Sequence, residues 1–232
     1  MPTAPEWSIN GTTAENGKRF RFKRDSIGDY LLGYAAPGLY SLASAMAVSA
    51  AFPGGFGPLT LKANDFVWKK RPWGAPKGAE LPVAIGYTNI HLYDGGVYDN
   101  LGLEPFFDAG SGKSKIAGRS IVVSDAGAPL AAGFSFGSFS RFRLKRMADI
   151  MADQAHALRV RTFWRYLNKN PSAGALLYIG PEAEDSNSDT EAVYAAGFPT
   201  TLRRLNFNEF DRLGQRGYDV AALDQHLRQL TV

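Results

Sequence analysis

The sequence contains no cysteine. That absence excludes a disulfide framework, a thiolate nucleophile and any zinc site built on sulfur. Histidine is nearly as scarce: His91, His156 and His226 lie far apart and share no metal-ligand spacing, so neither a metal nor any other cofactor is expected. No window approaches the roughly eighteen uninterrupted apolar residues that mark a membrane-spanning helix. The opening MPTAPEWSINGTT has no charged start followed by an apolar core, the pattern of a secretory signal. The expectation is a cytoplasmic protein, soluble or bound peripherally to a membrane. Nucleic-acid module signatures are missing too, and the basic excess is small, 26 Lys and Arg against 22 Asp and Glu. No nucleic-acid partner is therefore expected, although a pI near 9.2 permits contact with anionic surfaces.

What is present suffices for one sizeable core: 232 residues, 45% apolar and 12% aromatic. Short alternating runs at 6–10 and 19–23 flank Asn16-Gly17 and predict a β-hairpin. Residues 41–52 are small and apolar with almost no charge and stop at Pro53-Gly54-Gly55, which predicts a fully buried helix. The stretch 56–82 is irregular and reads as a surface loop with one strand at 65–68; its cluster Trp68-Lys69-Lys70-Arg71-Pro72-Trp73 reads as tryptophan flanked by snorkelling cations. A short helix is expected over 101–108. The Gly110-Ser111-Gly112-Lys113-Ser114 that follows lacks the spacing of a phosphate loop. Residues 120–125 read as a central parallel strand and 175–180 as another strand, with an acidic loop at 181–190.

The longest helical pattern runs over 140–168, where Leu144, Met147, Ile150, Met151, Ala155, Leu158 and Phe163 recur every three or four residues beside many arginines. A cationic amphipathic helix can lie on an anionic membrane. The lack of extra aromatics beside the charges favours instead a core-packed helix with a solvated basic face. From 200 to 230 the chain reads as helical with a break at 214–217. Strands alternating with helices define an α/β protein whose strand ends carry the site.

The strongest candidate site is Tyr93-Asp94-Gly95-Gly96-Val97-Tyr98-Asp99-Asn100-Leu101-Gly102. In the run before it, Ile90 and Leu92 fall on one face and His91 and Tyr93 on the other, so Asp94 stands where a strand stops. Gly95 and Gly96 allow a tight turn and close approach of other backbone. Asp125 ends the 120–125 strand in the same manner, before Ala126-Gly127.

Together with Ala43-Ser44-Ala45-Met46-Ala47-Val48-Ser49-Ala50-Ala51-Phe52-Pro53 about forty residues earlier, this motif resembles the second half of the patatin-like phospholipases. The resemblance implies a three-layer sheet with helices on both faces, incomplete at its N-terminal side, with the whole of 1–232 forming the second half of such a domain. It also implies a Ser-Asp dyad that hydrolyses acyl esters of lipids, with Asp94 as the dyad acid/base and Gly95, Gly96 and Asn100 as turn supports. The substrate so implied is a lipid ester or phospholipid, with peripheral membrane contact.

The family carries a glycine-rich oxyanion loop and a Gly-x-Ser-x-Gly elbow upstream of the segments found here, and this sequence begins after them. The one formal match, Gly133-Phe134-Ser135-Phe136-Gly137, lies downstream of Asp94 and away from any strand end, so Ser135 is not expected to act as the nucleophile. A serine hydroxyl needs a base within hydrogen-bond reach, and the base alone does no acyl transfer. The expectation is weak activity for this chain by itself and a complementing N-terminal half, or a second copy, as partner. The alternative is a noncatalytic lipid-surface or protein-interaction module in which the Asp94 turn is structural.

Overall fold

The computed structural model describes residues 5–53, 55–134, 140, 142–181, 189–199, 201 and 203–230. They form two compact units, divided after Gly102, and each is built differently.

The first unit is an antiparallel sheet. Its strands are β1 (Ile9–Thr13), β2 (Arg19–Phe22), β3 (Ile27–Asp29), β4 (Gly33–Ala35), β5 (Leu59–Lys62), β6 (Lys69–Lys70), β7 (Leu81–Pro82) and β8 (Asn89–Asp94), ordered β5-β8-β1-β2-β3-β4-β6-β7. Every described pairing among them is antiparallel. The expected hairpin is β1–β2, with Ile9 opposite Phe22 and Gly17 at φ 66° in the turn. Helix α1 (Leu42–Ser49) is started by Ser41, whose hydroxyl accepts from the Ser44 N–H at 3.0 Å. The unit's core is Phe20, Phe22, Ile27, Val48, Leu61, Trp68, Ile90 and Leu92.

Two expectations are corrected here. Helix α1 is not buried all round: Ala45 and Val48 face the sheet, while Met46 is 58% exposed. The helix is eight residues long and rests on β1 and β8 by a single stripe, because a uniform run of small residues does not say how many faces will be covered. In 56–82, Trp68 leaves the surface for the core and donates its indole N–H to Ala63 O at 2.8 Å; Trp73 stays fully exposed. One tryptophan is thus packing and the other solvated, and strands β5, β6 and β7 occupy what read as loop.

The β3–β4 turn is built on a buried carboxylate. Asp29 is fully buried and its Oδ2 accepts from Thr13 Oγ1 at 2.7 Å and Asn16 Nδ2 at 3.0 Å, while Oδ1 accepts from the Leu31 and Leu32 N–H groups, both at 2.8 Å. Four donors satisfy a group that would otherwise be very costly to bury. They tie the β1–β2 hairpin to the β3–β4 turn.

The second unit holds β9 (Phe107–Asp108), β10 (Lys113–Ser114), β11 (Ile121–Asp125), α3 (Phe142–Lys169), β12 (Gly174–Tyr178), α4 (Thr190–Ala196), α5 (Phe207–Leu223) and α6 (Gln225–Leu230). Strands β9 and β10 make a hairpin whose turn closes on Asp108 Oδ1, which accepts from the Gly110 N–H at 2.9 Å. That hairpin occupies the Gly-Ser-Gly-Lys-Ser segment. Strand β11 is parallel, as its apolar run suggests, but it pairs with β12 alone among the described residues, and Val122 is 50% exposed, so it is not a central strand. The helix expected over 101–108 is absent: a one-turn helix α2 (Gly96–Asp99) forms earlier, inside the motif, and Gly102 at φ 61° ends the turn. No helix breaks at 214–217 either, since α5 runs through both glycines. Its start is fixed by a capping box between Asn206 and Glu209. Arg203 grips the Glu209 carboxylate with both guanidinium nitrogens and holds its pKa down to about 2. The acidic 181–190 segment lies largely outside the described residues, as does Ser135.

Helices and strands thus mix in one chain, as expected for an α/β protein. The large sheet, however, is antiparallel, and the parallel pair is confined to the second unit.

Candidate functional site

Asp94 is the last residue of β8 and sits opposite Gly11 of β1. Its backbone is held from two sides. The Asp94 N–H donates to Ala51 O at 3.0 Å, and Thr12 Oγ1 donates to Asp94 O at 2.8 Å. The first bond joins the end of the Ala-Ala-Phe-Pro segment to the acid of the Asp-Gly-Gly segment, so the two stretches singled out in the sequence meet here. The side chain is fixed by its own turn, with the Gly96 N–H donating to Asp94 Oδ1 at 2.7 Å.

Burial pushes the Asp94 carboxyl above the usual aspartate range, and the Gly96 N–H only partly offsets it. The group is half-buried at the rim of a groove of about 460 Å³ lined by Ser8, Asn10, Ser49, Asp94, Asp99 and Asn100 among others. A carboxylate of raised proton affinity, held rigidly at a polar groove, can take a proton from a hydroxyl placed within reach.

A Cβ on Gly95 would lie 2.5 Å from Asn10 O, a backbone atom that cannot swing away. One on Gly96 would lie 2.7 Å from Asn100 Oδ1, which places the exposed Asn100 side chain against the turn. Gly95→Ala should therefore push the end of β8 off β1 and lower stability by about 1–3 kcal/mol. A urea midpoint equal to that of the wild type would show instead that the strand at Asn10 can yield.

Sequence reasoning missed Ser8, Asn10 and Ser49 on the groove wall, and gave Asp99, which lies within the motif, no role of its own. Ser8 Oγ and Asn10 Oδ1 are buried without a hydrogen-bond partner among the described residues, so the wall retains unused polar capacity. Asp99 is 3% exposed on the one-turn helix. The signal available for Ser8 and Asn10 was the hairpin register, which carries β1 past the end of β8; nothing local marked Ser49.

The second strand-end acid has a different partner. Asp125 ends β11, and its Oδ1 accepts from the Gly127 N–H at 3.0 Å, the same turn that Asp94 makes. Its Oδ2 lies 2.8 Å from His156 Nε2 of α3. Burial raises the Asp125 pKa, but the bonds from His156 and Gly127 outweigh it and leave the carboxyl below its usual range; the hydrogen bond to Asp125 holds the His156 imidazole above its own. The histidine's contribution to stability is complete below about pH 6.5 and is lost as pH rises through its raised value. The aspartate's contribution is complete above about pH 4 and is lost on acidification. His156→Gln should thus cost more thermal stability at pH 5 than at pH 8, and a loss that does not change with pH would mean that the imidazole is uncharged throughout.

Among the described residues, no group of three or more His, Asp or Glu side chains is placed to hold a metal ion, and no helix is long and apolar enough to cross a membrane. Comparison with protein-family models, with curated proteins and with solved structures finds no match in any of the three.

Proposed function

We propose that this chain is the aspartate-bearing half of a patatin-like serine acyl hydrolase that cleaves lipid esters, with Asp94 as the acid/base of a Ser-Asp dyad. One observation supports the reading above others: Asp94 is a rigid, half-buried strand-end carboxylate of raised proton affinity, anchored to Ala51 and facing a polar groove. Gly95, Gly96 and Asn100 shape its turn. The nucleophile and the oxyanion donors come from an N-terminal half, which also completes a three-layer arrangement with helices on both faces. That half covers the apolar outer side of α1, where Leu42 and Met46 stand exposed. The protein works in the cytoplasm, at the membrane surface where its substrate resides.

The second reading is a noncatalytic module. It is favoured by the bond from Gly96 to Asp94 Oδ1, the ordinary means by which an aspartate closes a turn. Reading the genomic sequence upstream of Met1 for an in-frame Gly-x-Ser-x-Gly separates the two. At the bench, with the upstream segment supplied, a chromogenic short-chain ester is hydrolysed by the wild type and far more slowly by Asp94→Asn if Asp94 is catalytic. Absence of turnover in both, with the upstream segment supplied, favours the module.

A further inference from the structure

Helix α3 turns an uncovered apolar line outward over most of its length. Leu144, Met147, Met151 and Leu158 follow one another at intervals of three, four and seven residues, which places them along one side of a helix. They are 69, 55, 65 and 59% exposed. The buried positions, Phe163 and Leu167, lie at the other end and on the opposite side. The expectation of a helix packed into the core along its whole stripe is therefore corrected: of the residues that periodicity marks, Phe163 is buried, while Leu144, Met147, Ile150, Met151 and Leu158 face outward.

Charge is sorted around that line. Arg143, Arg161 and Arg165 are exposed and border it. The helix's acids, Asp149 and Asp153, are half-buried on the far side, Asp149 paired to Lys145 at 2.6 Å and Asp153 beside His156. Aromatic rings stand where the helix begins: Phe142 is 50% exposed, and the Arg143 guanidinium lies over the 58%-exposed Phe134 ring at 5.3 Å.

An apolar line edged by guanidinium groups and cleared of carboxylates complements a surface that is apolar below and anionic at its rim. The boundary between headgroups and acyl chains of an acidic bilayer has that character. We propose that α3 docks this protein on anionic lipid, with Leu144, Met147, Met151 and Leu158 entering the acyl boundary and Arg161 and Arg165 at the level of the phosphates. The docking is independent of Asp94 and of any hydrolysis.

Flotation of the full chain with vesicles tests it, using pure phosphatidylcholine against phosphatidylcholine carrying about a quarter phosphatidylserine. The wild type should float with the acidic vesicles, release as salt is raised, and stay behind with the neutral ones. The pair Arg161→Gln and Arg165→Gln should weaken acidic-vesicle binding about thirtyfold. The pair Met147→Ser and Met151→Ser should abolish it, and because all four positions are exposed, the melting curves should match that of the wild type. Failure of the wild type to float with acidic vesicles overturns the proposal. So does a dimer in solution that the methionine variants dissociate, since the face would then be a contact between copies, and so does undiminished binding by both variants.

Discussion

Asp29→Ala should destabilise the first unit by about 3–5 kcal/mol, a large fraction of what holds a domain together. The substitution removes the acceptor for four donors at once. Water can reach the Leu31 amide in part, since Leu31 is 42% exposed, so its loss is softened, whereas Leu32 is 8% exposed and its bond is buried. Thr13 is not so placed: it is fully buried, and its hydroxyl would be left with neither protein nor ready solvent. Asp29→Asn distinguishes a need for charge from a need for shape. An asparagine oxygen can still accept from the two turn amides, but its NH2 would face the Thr13 hydroxyl and the Asn16 NH2, and the latter cannot accept. Asn should therefore fall between wild type and Ala. Urea unfolding, with hydrogen exchange of the β1 to β4 amides, reads both. A shift below about 1 kcal/mol for Ala would mean that the turn keeps its form without the carboxylate.

With the nucleophile-bearing half supplied, Asp94→Asn should lower ester turnover by about 10²–10⁴-fold with little change in substrate affinity, the loss typical of removing a positioned base. Asparagine keeps the size of aspartate and an oxygen for the Gly96 N–H, so the turn should survive. The stability effect has the opposite sign and guards against misreading. Because burial raises the pKa of Asp94 in the folded chain, the folded state holds its proton more tightly than the unfolded one does. Stability accordingly falls as pH climbs from the unfolded value, about 3.9, through the raised folded value, and the penalty persists above it. Asn removes that penalty, so the variant should melt no lower than the wild type at pH 7. A variant that is inactive and markedly less stable would point to a damaged turn, not to a missing base.

The sequence announces the first unit's central features because they rest on local chemistry. Alternation places Ile90 and Leu92 inward on β8, and both are fully buried; Asn16-Gly17 supplies the left-handed turn of the β1–β2 hairpin. The Asp94 turn is legible for the same reason, since its Gly96 bond spans two residues. What escaped depends on tertiary choice. Trp68 and Trp73 share one basic cluster, and tertiary contacts, the bond to Ala63 O and packing against Phe66, bury only the first. Gly214 and Gly217 cost about 1 kcal/mol each in a helix, yet α5 runs through them, with its capping box and the Arg212 contacts to Glu191 and Tyr194 before the glycines and the Arg216 bonds between them. In α3 the spacing of apolar residues was evident, but spacing cannot say whether a core lies on that side.

Arg216 gives the second unit an economy of anchoring. Its guanidinium donates to Ile179 O at 3.0 Å and Gly180 O at 3.1 Å just past β12, and to Asp189 Oδ2 at 2.8 Å at the N-cap of α4. The two ends of the acidic segment are thus moored to one residue on α5, outside the segment itself. A single guanidinium therefore fixes the exit of β12 and the entry of α4 together, so the relative placing of β12, α4 and α5 depends on one side chain rather than on three separate contacts.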